Sequence, residues 1–311
     1  MSEQLTQLYV LGGSHGNEEL GKATVVAVHG QGWPNVHTRI ADPEAAAEGE
    51  RACGSKQIMG EYPGSLKSDN PDAVAAAANL AWLGNAQGSP AAQVLDIHNN
   101  YTPGLDYAGV GPRALKANIV AAYLLGYNRI TVSPGPFYAT VPNGMAIEQS
   151  LQPRRPEYAE EQAARLCRGI GQLASMRTTE LTARYQDIAP QMEWYFTFEI
   201  PTTDPAGELA TYIPRLERTL LAQPFAPVDV SADTRRALGI PGADQLYGLS
   251  WNHDNISKLL PELGQSAAAH ETGARREFFG GVALKLPPPT AAGEWVQFAV
   301  EPYVTPIGQQ Q

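Results

Sequence analysis

Cysteine is nearly missing from this chain: two among 311 residues, Cys53 and Cys167. They lie far apart and in no metal-ligand spacing, which excludes a disulfide framework and a thiolate cluster. Two free thiols in a reducing cytoplasm is the simpler reading, and a single disulfide is the alternative. Positive charge is also in short supply. Lys and Arg number 22 against 32 Asp and Glu, for a net charge of −10, so no basic face for nucleic acid is expected. No apolar run approaches the roughly 18 residues a membrane span needs. Met1 to Gln7 lacks the basic and apolar regions of a secretory signal. The expectation is therefore a cytoplasmic protein without nucleic-acid or membrane partners. There is no internal repeat, no Gly-x-Ser-x-Gly elbow and no P-loop, which argues against a serine hydrolase and a nucleotide-binding protein.

What is present is an alternation of strand-like and helix-like segments. Leu8 to Leu11 is a short apolar run stopped by Gly12-Gly13. Residues from Glu18 to about His29 suit a helix, and Val36 to Ile40 a second strand. Pro71 to Leu83 is alanine-rich, with Asn70 placed as N-cap and Pro71 at the first helical position. Gln93 to Ile97 is another strand, Ala114 to Leu125 a helix closed by Gly126, and Arg129 to Val132 a strand. Pro156 to Met176 is amphipathic, with Leu166, Ile170 and Leu173 opposite Glu160, Glu161 and Arg165. Glu193 to Ile200 is β-prone, and Gly207 to Leu221 returns to helix. This order predicts an α/β domain with a largely parallel or mixed sheet over residues 1–223. Beyond Pro224 lie Pro287-Pro-Pro289 and two β-like runs, Gly281–Leu286 and Trp295–Val304. Residues 224–311 are expected to form a smaller, β-rich C-terminal domain.

Four residues stand at or near the carboxyl ends of these strands, where open α/β sheets bind their ligands. His15 and Glu18 follow the first strand, His98 ends Val94-Leu-Asp-Ile-His98, and Glu199 stands near the end of Phe196-Thr-Phe-Glu199. Two His and one Glu are a usual ligand set for a catalytic zinc, which keeps a fourth position open. Asp96 is two residues from His98, so both side chains share one face of the strand. There it can orient a metal ligand from behind. The other histidines, His29, His37, His253 and His270, have no partner at ligand spacing.

The runs Gly12-Gly-Ser-His-Gly-Asn-Glu18, Asp96-Ile-His-Asn99 and Glu199-Ile200 resemble, in that order, the motifs of the succinylglutamate desuccinylase/aspartoacylase family. The resemblance extends over roughly residues 8–223. It implies a zinc carboxypeptidase-like three-layer fold, with a C-terminal β domain that partly covers the active site. It also implies zinc-dependent cleavage of an acyl-amide bond in a small N-acylated substrate. On this basis His15, Glu18 and His98 are the expected ligands of one zinc ion, Glu199 the expected base and Asp96 the support for a ligand. Asn99, Arg184 and Tyr303 are carried over as candidate substrate contacts.

One departure concerns specificity. Family members that bind N-acyl amino acids place arginines in Asn-Pro-Arg and Asp-x-Asn-Arg segments. Here Asp42-Pro43-Glu44 puts an acid at the first arginine position, and Met59 to Asn70 holds no arginine. A carboxylate there repels the group that a bidentate arginine would clamp. Arg113 and Arg154 are other candidate cations. Two further readings accompany the amidohydrolase: a carboxypeptidase-type metallopeptidase of the same fold, and a non-catalytic metal- or ligand-binding relative. Homo-oligomerisation is an expectation from base rates alone.

Overall fold

The computed structural model describes residues 5–49, 58–100, 102, 104–151, 156–199, 224–229, 232, 235, 240, 244–251 and 279–300. The first half contains β1 (Gln7–Gly12), α1 (Glu19–His29), β2 (Val36–Ile40), α2 (Pro43–Glu48), α3 (Ile58–Glu61) and α4 (Pro71–Leu83). There follow β3 (Ala92–Asn100), β4 (Tyr107–Val110), β5 (Arg113–Leu115), α5 (Lys116–Leu124), β6 (Arg129–Val132), α6 (Pro136–Thr140) and β7 (Gly144–Ser150). Then come α7 (Pro156–Ala174), α8 (Thr178–Ile188), β8 (Glu193–Glu199), β9 (Pro227–Val228), β10 (Leu246–Trp251), β11 (Phe279–Lys285), β12 (Thr290–Ala292) and β13 (Trp295–Gln297).

Among the described residues, ten strands form one mixed sheet in the order β2-β1-β3-β7-β4-β6-β8-β11-β10-β9. The fold class expected from the alternation is therefore present. β1, β2, β3 and β7 run parallel to one another. The direction reverses between β7 and β4, and β6 and β8 follow β4. Alternating side chains send Leu95 and Ile97 of β3 into one core with Val25 and Val28 of α1 and Leu166, Ile170 and Leu173 of α7. Val94, on the other face, packs with Ile58, Tyr62, Ala76, Leu83 and Phe137. Helices thus cover both faces, with α1, α5 and α7 on one side and α3, α4 and α6 on the other.

The contact between α1 and the sheet requires glycine. A Cβ on Gly12 would collide with the carbonyl of Gly21, and one on Gly21 with the carbonyl of Ile97. Only two bare Cα atoms let α1 come down onto β1 and β3, and that descent sets where Glu18 stands. The helix starts follow local chemistry. The Asn70 side chain accepts from the Asp72 amide, with Pro71 next to it, and the Asp42 carboxylate accepts from the Ala45 amide.

The chain after residue 224 is described as strands only in β9 to β13. Its described strands are divided between two sheets. β11 pairs antiparallel with β8, β10 with β11 and β9 with β10, so they extend the central sheet. β13 pairs with β5 and with β12 in a three-stranded sheet. β8, before residue 224, and β11, after it, are therefore hydrogen-bonded neighbours. β8 has an open edge once β6 is paired on its other side, and a later strand fills it. The helix expected at 207–221 lies outside the described residues.

Candidate metal centre

β1 ends at Gly12, and the turn that follows carries His15 and Glu18 to the start of α1. The Glu18 amide donates to the His15 carbonyl at 3.0 Å, closing this turn. His98 arrives from β3, two strand positions after Asp96. The three candidate ligands come together in the interior, each at most 4% exposed. His15 Nδ1 lies 2.7 Å from Glu18 Oε1, and His98 Nδ1 lies 2.9 Å from Glu18 Oε2. The two Nδ1 atoms are 3.3 Å apart. Zinc–nitrogen bonds of about 2.0–2.1 Å in a tetrahedral site would separate two ligand nitrogens by about 3.3 Å. Both imidazoles thus turn the same ring atom toward one carboxylate, in a donor set of nitrogen and oxygen that suits a divalent cation. The residues present fit such an ion.

The electrostatics agree with the geometry. Burial works to raise the Glu18 carboxyl, but the His15 and His98 imidazoles outweigh it and hold the group well below the usual carboxylate range. Burial works to lower His98, and the Asp96 and Glu18 carboxylates overcome it, so its pKa stands well above the ordinary imidazole value. Asp96 Oδ2 stands 3.0 Å from His98 Nε2, on the side away from Glu18. Ser14 Oγ–H donates to the same carboxylate, at 2.7 Å to Oδ1 and 2.9 Å to Oδ2. Ser14, Asp96 and His98 therefore form a buried line that fixes the imidazole.

Asn99 is turned the other way. One residue beyond His98, it faces α1, and its Oδ1 accepts the Leu20 amide at 3.0 Å. An amide in the first turn of a helix has no intrahelical acceptor. Glu18, at the N-cap, makes no side-chain cap because its carboxylate is turned to the histidines, and Asn99 supplies one instead. The expected substrate contact is thus placed as a helix cap. Arg184 is exposed on α8. Arg113 stacks its guanidinium 4.2 Å above the Trp295 ring. Tyr303 and Arg154 lie outside the described residues.

Glu199 stands apart from the cluster. It ends β8, as expected, in register with Gly281. But β8 runs opposite to β3. His98 is level with Glu148 of β7, Glu148 with Tyr107 of β4, and Arg129 of β6, next in that row, with Glu193. Glu193, at the start of β8, therefore shares the row of His98. Glu199 lies six residues further, about 20 Å along the strand and four strand spacings, about 19 Å, to the side. The rule that strand ends share one rim fails because the sheet reverses direction between β7 and β4.

The carboxylate that does stand beside the cluster is Glu148. It is the direct neighbour of His98 in the parallel pair β3–β7, so both side chains leave the same face. Asn100, two positions beyond His98, donates from Nδ2 to Glu148 Oε2 at 3.4 Å. The sequence signal was available in Met145-Ala-Ile-Glu148, an apolar strand ending in an acid. Gly144 and the small Ala146 make it a weaker strand signal than the β-prone run at 193–200.

No family model matches this chain, and no curated protein sequence matches it. Solved structures do. A succinylglutamate desuccinylase from Vibrio parahaemolyticus superimposes with a TM-score of 0.56, at 12% identity, covering 96% of this chain and 87% of that one. The Chromobacterium violaceum succinylglutamate desuccinylase gives 0.54 at 12% identity, covering 92% and 87%. Murine aminoacylase 3 gives 0.50 at 15% identity, covering 94% and 100%. At such identities the likeness is one of fold. The chain thus has the fold shared by succinylglutamate desuccinylases and aminoacylase 3.

Proposed function

We propose that this protein is a zinc-dependent amidohydrolase that cleaves the acyl-amide bond of a small N-acylated compound. The observation that carries the reading is the buried convergence of His15, Glu18 and His98 with Glu148 beside them on the same sheet face. The names of the structures that share the fold, desuccinylase and aminoacylase, support the same reaction class.

His15 and His98, through Nδ1, and Glu18, through its carboxylate, would hold the ion. A zinc ion so bound supplies a Lewis acid that polarises the scissile carbonyl and acidifies water. Asp96, held by Ser14, keeps His98 oriented and draws Nε2 to itself, which leaves Nδ1 free as a ligand. Glu148 takes the proton of the attacking water and delivers it to the leaving nitrogen. This replaces Glu199 in that role. Glu44, where the first arginine was expected, and Asp42 two residues before it make the surroundings of β2 acidic, so a second carboxylate on the substrate is not favoured there.

The test is Glu148→Gln in the zinc-loaded chain, assayed on a panel of N-acyl amino acids. Zinc content should stay at the unmodified level, while kcat falls by about a thousandfold or more. Full activity in this variant, or no hydrolysis of any panel member by the unmodified protein, would sink the reading. His98→Ala should lower the zinc-to-protein ratio in elemental analysis, and an unchanged ratio would remove His98 from the ligand set.

A further inference from the structure

β7 carries an anomaly immediately after Glu148. Met145 and Ile147 point toward the helices α1, α5 and α7 and are fully buried. The next position on that face should be apolar too. It is Gln149, buried at 7% exposure. A buried amide on a core face is costly unless every polar atom is answered, and here it is. Gln149 Oε1 accepts from the Tyr127 hydroxyl at 2.8 Å and from Arg165 Nη2 at 2.7 Å. Gln149 Nε2 donates to Asp106 Oδ1 at 2.8 Å. The same Asp106 oxygen accepts the Ser150 backbone amide at 2.7 Å. Arg165, on α7, is itself fixed by a bond from Nη1 to the Leu125 carbonyl and one from Nη2 to the Tyr127 hydroxyl.

Three elements, the segment before β4, the turn before β6 and α7, are thus tied to two consecutive residues of β7. Those residues directly follow Glu148. A strand end with nothing beyond it frays, and its side chains move with it. A fully satisfied polar network is stiffer and more specific in geometry than apolar packing at the same place. Resting on the reading of Glu148 as the base, we propose that Asp106, Gln149, Tyr127 and Arg165 are positioning residues that clamp β7 so that the Glu148 carboxylate is held at working distance from the His15–Glu18–His98 cluster.

Asp106→Ala removes the acceptor shared by Gln149 and Ser150. In the zinc-loaded full chain, kcat should fall by about tenfold to a hundredfold, since a displacement of about 1 Å has that effect. KM should stay within about twofold and zinc content should not change. Asp106→Asn keeps an oxygen that accepts from both donors, and should recover kcat to within about threefold of the unmodified protein. A purely structural role would lower the melting temperature and leave kcat per folded molecule unchanged, and that result overturns the clamp. Equal losses in the Ala and Asn variants overturn it as well. Should Asp106→Ala fail to fold, Tyr127→Phe removes one hydroxyl only. It should lower kcat by about threefold to tenfold at constant KM, and an unaltered kcat counts against the clamp. An inactive Glu148→Gln beside a fully active Asp106→Ala overturns the clamp alone. A fully active Glu148→Gln overturns the base reading on which it rests.

Discussion

The two halves of the central sheet use the same face for different purposes. In the half made of β2, β1, β3 and β7, the strands are parallel and their carboxyl ends gather buried polar groups: Ser14, His15, Glu18, Asp96, His98 and Asn100. In the half that begins with β4, strands β4, β6 and β8 run the other way and the corresponding face is aromatic. Tyr107, Tyr195 and Phe225 pack there with Leu249, and Arg129 lies over the Phe225 ring at 4.8 Å while pairing with Glu193 at 3.2 Å. The difference teaches that chemistry collects where parallel strands end together. Their ends present several short turns at one level, whereas the opposite ends of β4, β6 and β8 are carried to the far edge.

The largest expected effect sets one half against the other. Glu148→Gln should remove about three orders of magnitude of kcat, whereas Glu199→Gln should change it by less than about threefold. Steady-state kinetics on the two proteins decides this, and a comparable loss in both would break the contrast between the halves. A smaller effect concerns the line behind the metal. Asp96→Asn should weaken zinc binding by about tenfold to a hundredfold. Competition with a chromophoric chelator measures it, and an unaltered affinity would show that Ser14 and Asp96 serve only the fold.

The smallest effect compares two buried acids within the first half. Glu18 follows β1 and is surrounded by imidazoles, which hold its carboxyl low. Asp42 follows β2 and is equally buried, but its charged neighbours are Asp72 and Glu44. Burial first, and then those carboxylates, push Asp42 up to about 6 from 3.8, against the pull of the Ala45 amide. A carboxyl raised in the folded state opposes folding once it must ionise. The stability it permits is present below about pH 4 and declines as pH rises through about 6. Asp42→Asn keeps the N-cap and removes the charge. It should stabilise the protein by about 1–3 kcal/mol at pH 7.5 and by nothing measurable at pH 4. Thermal unfolding at the two pH values tests this, and an equal shift at both would refute the charge argument.

Much of the fold was legible in the residues because local chemistry specified it. β2, β6 and α4 fall within the residues that periodicity, N-cap and proline placement indicate. β7 and α8 were not legible. Gly144-Met-Ala-Ile147 offers little β-branched surface, and the apolar stripe of α8 is only Leu181, Tyr185 and Ile188 among polar residues, so both depend on the partners they pack against. For the metal centre, His15, Glu18, His98 and Asp96 could be picked out because each lies in a short run that turns at a strand end. Asn99 in the same run went to a helix cap, since its side chain leaves the opposite face of β3. The described part of the chain contains no helix long and apolar enough to cross a membrane.

The sequence by itself determined the ligand types, their local turns and the glycines that let α1 meet the sheet, because these depend on backbone geometry over a few residues. Only the tertiary structure decided which carboxylate stands beside the metal cluster. That choice turns on strand direction and register across five strands, from β3 to β8, and no local pattern encodes whether β4 pairs with β7 parallel or antiparallel. One reversal there sets Glu148 in the row of His98 and leaves Glu199 outside it.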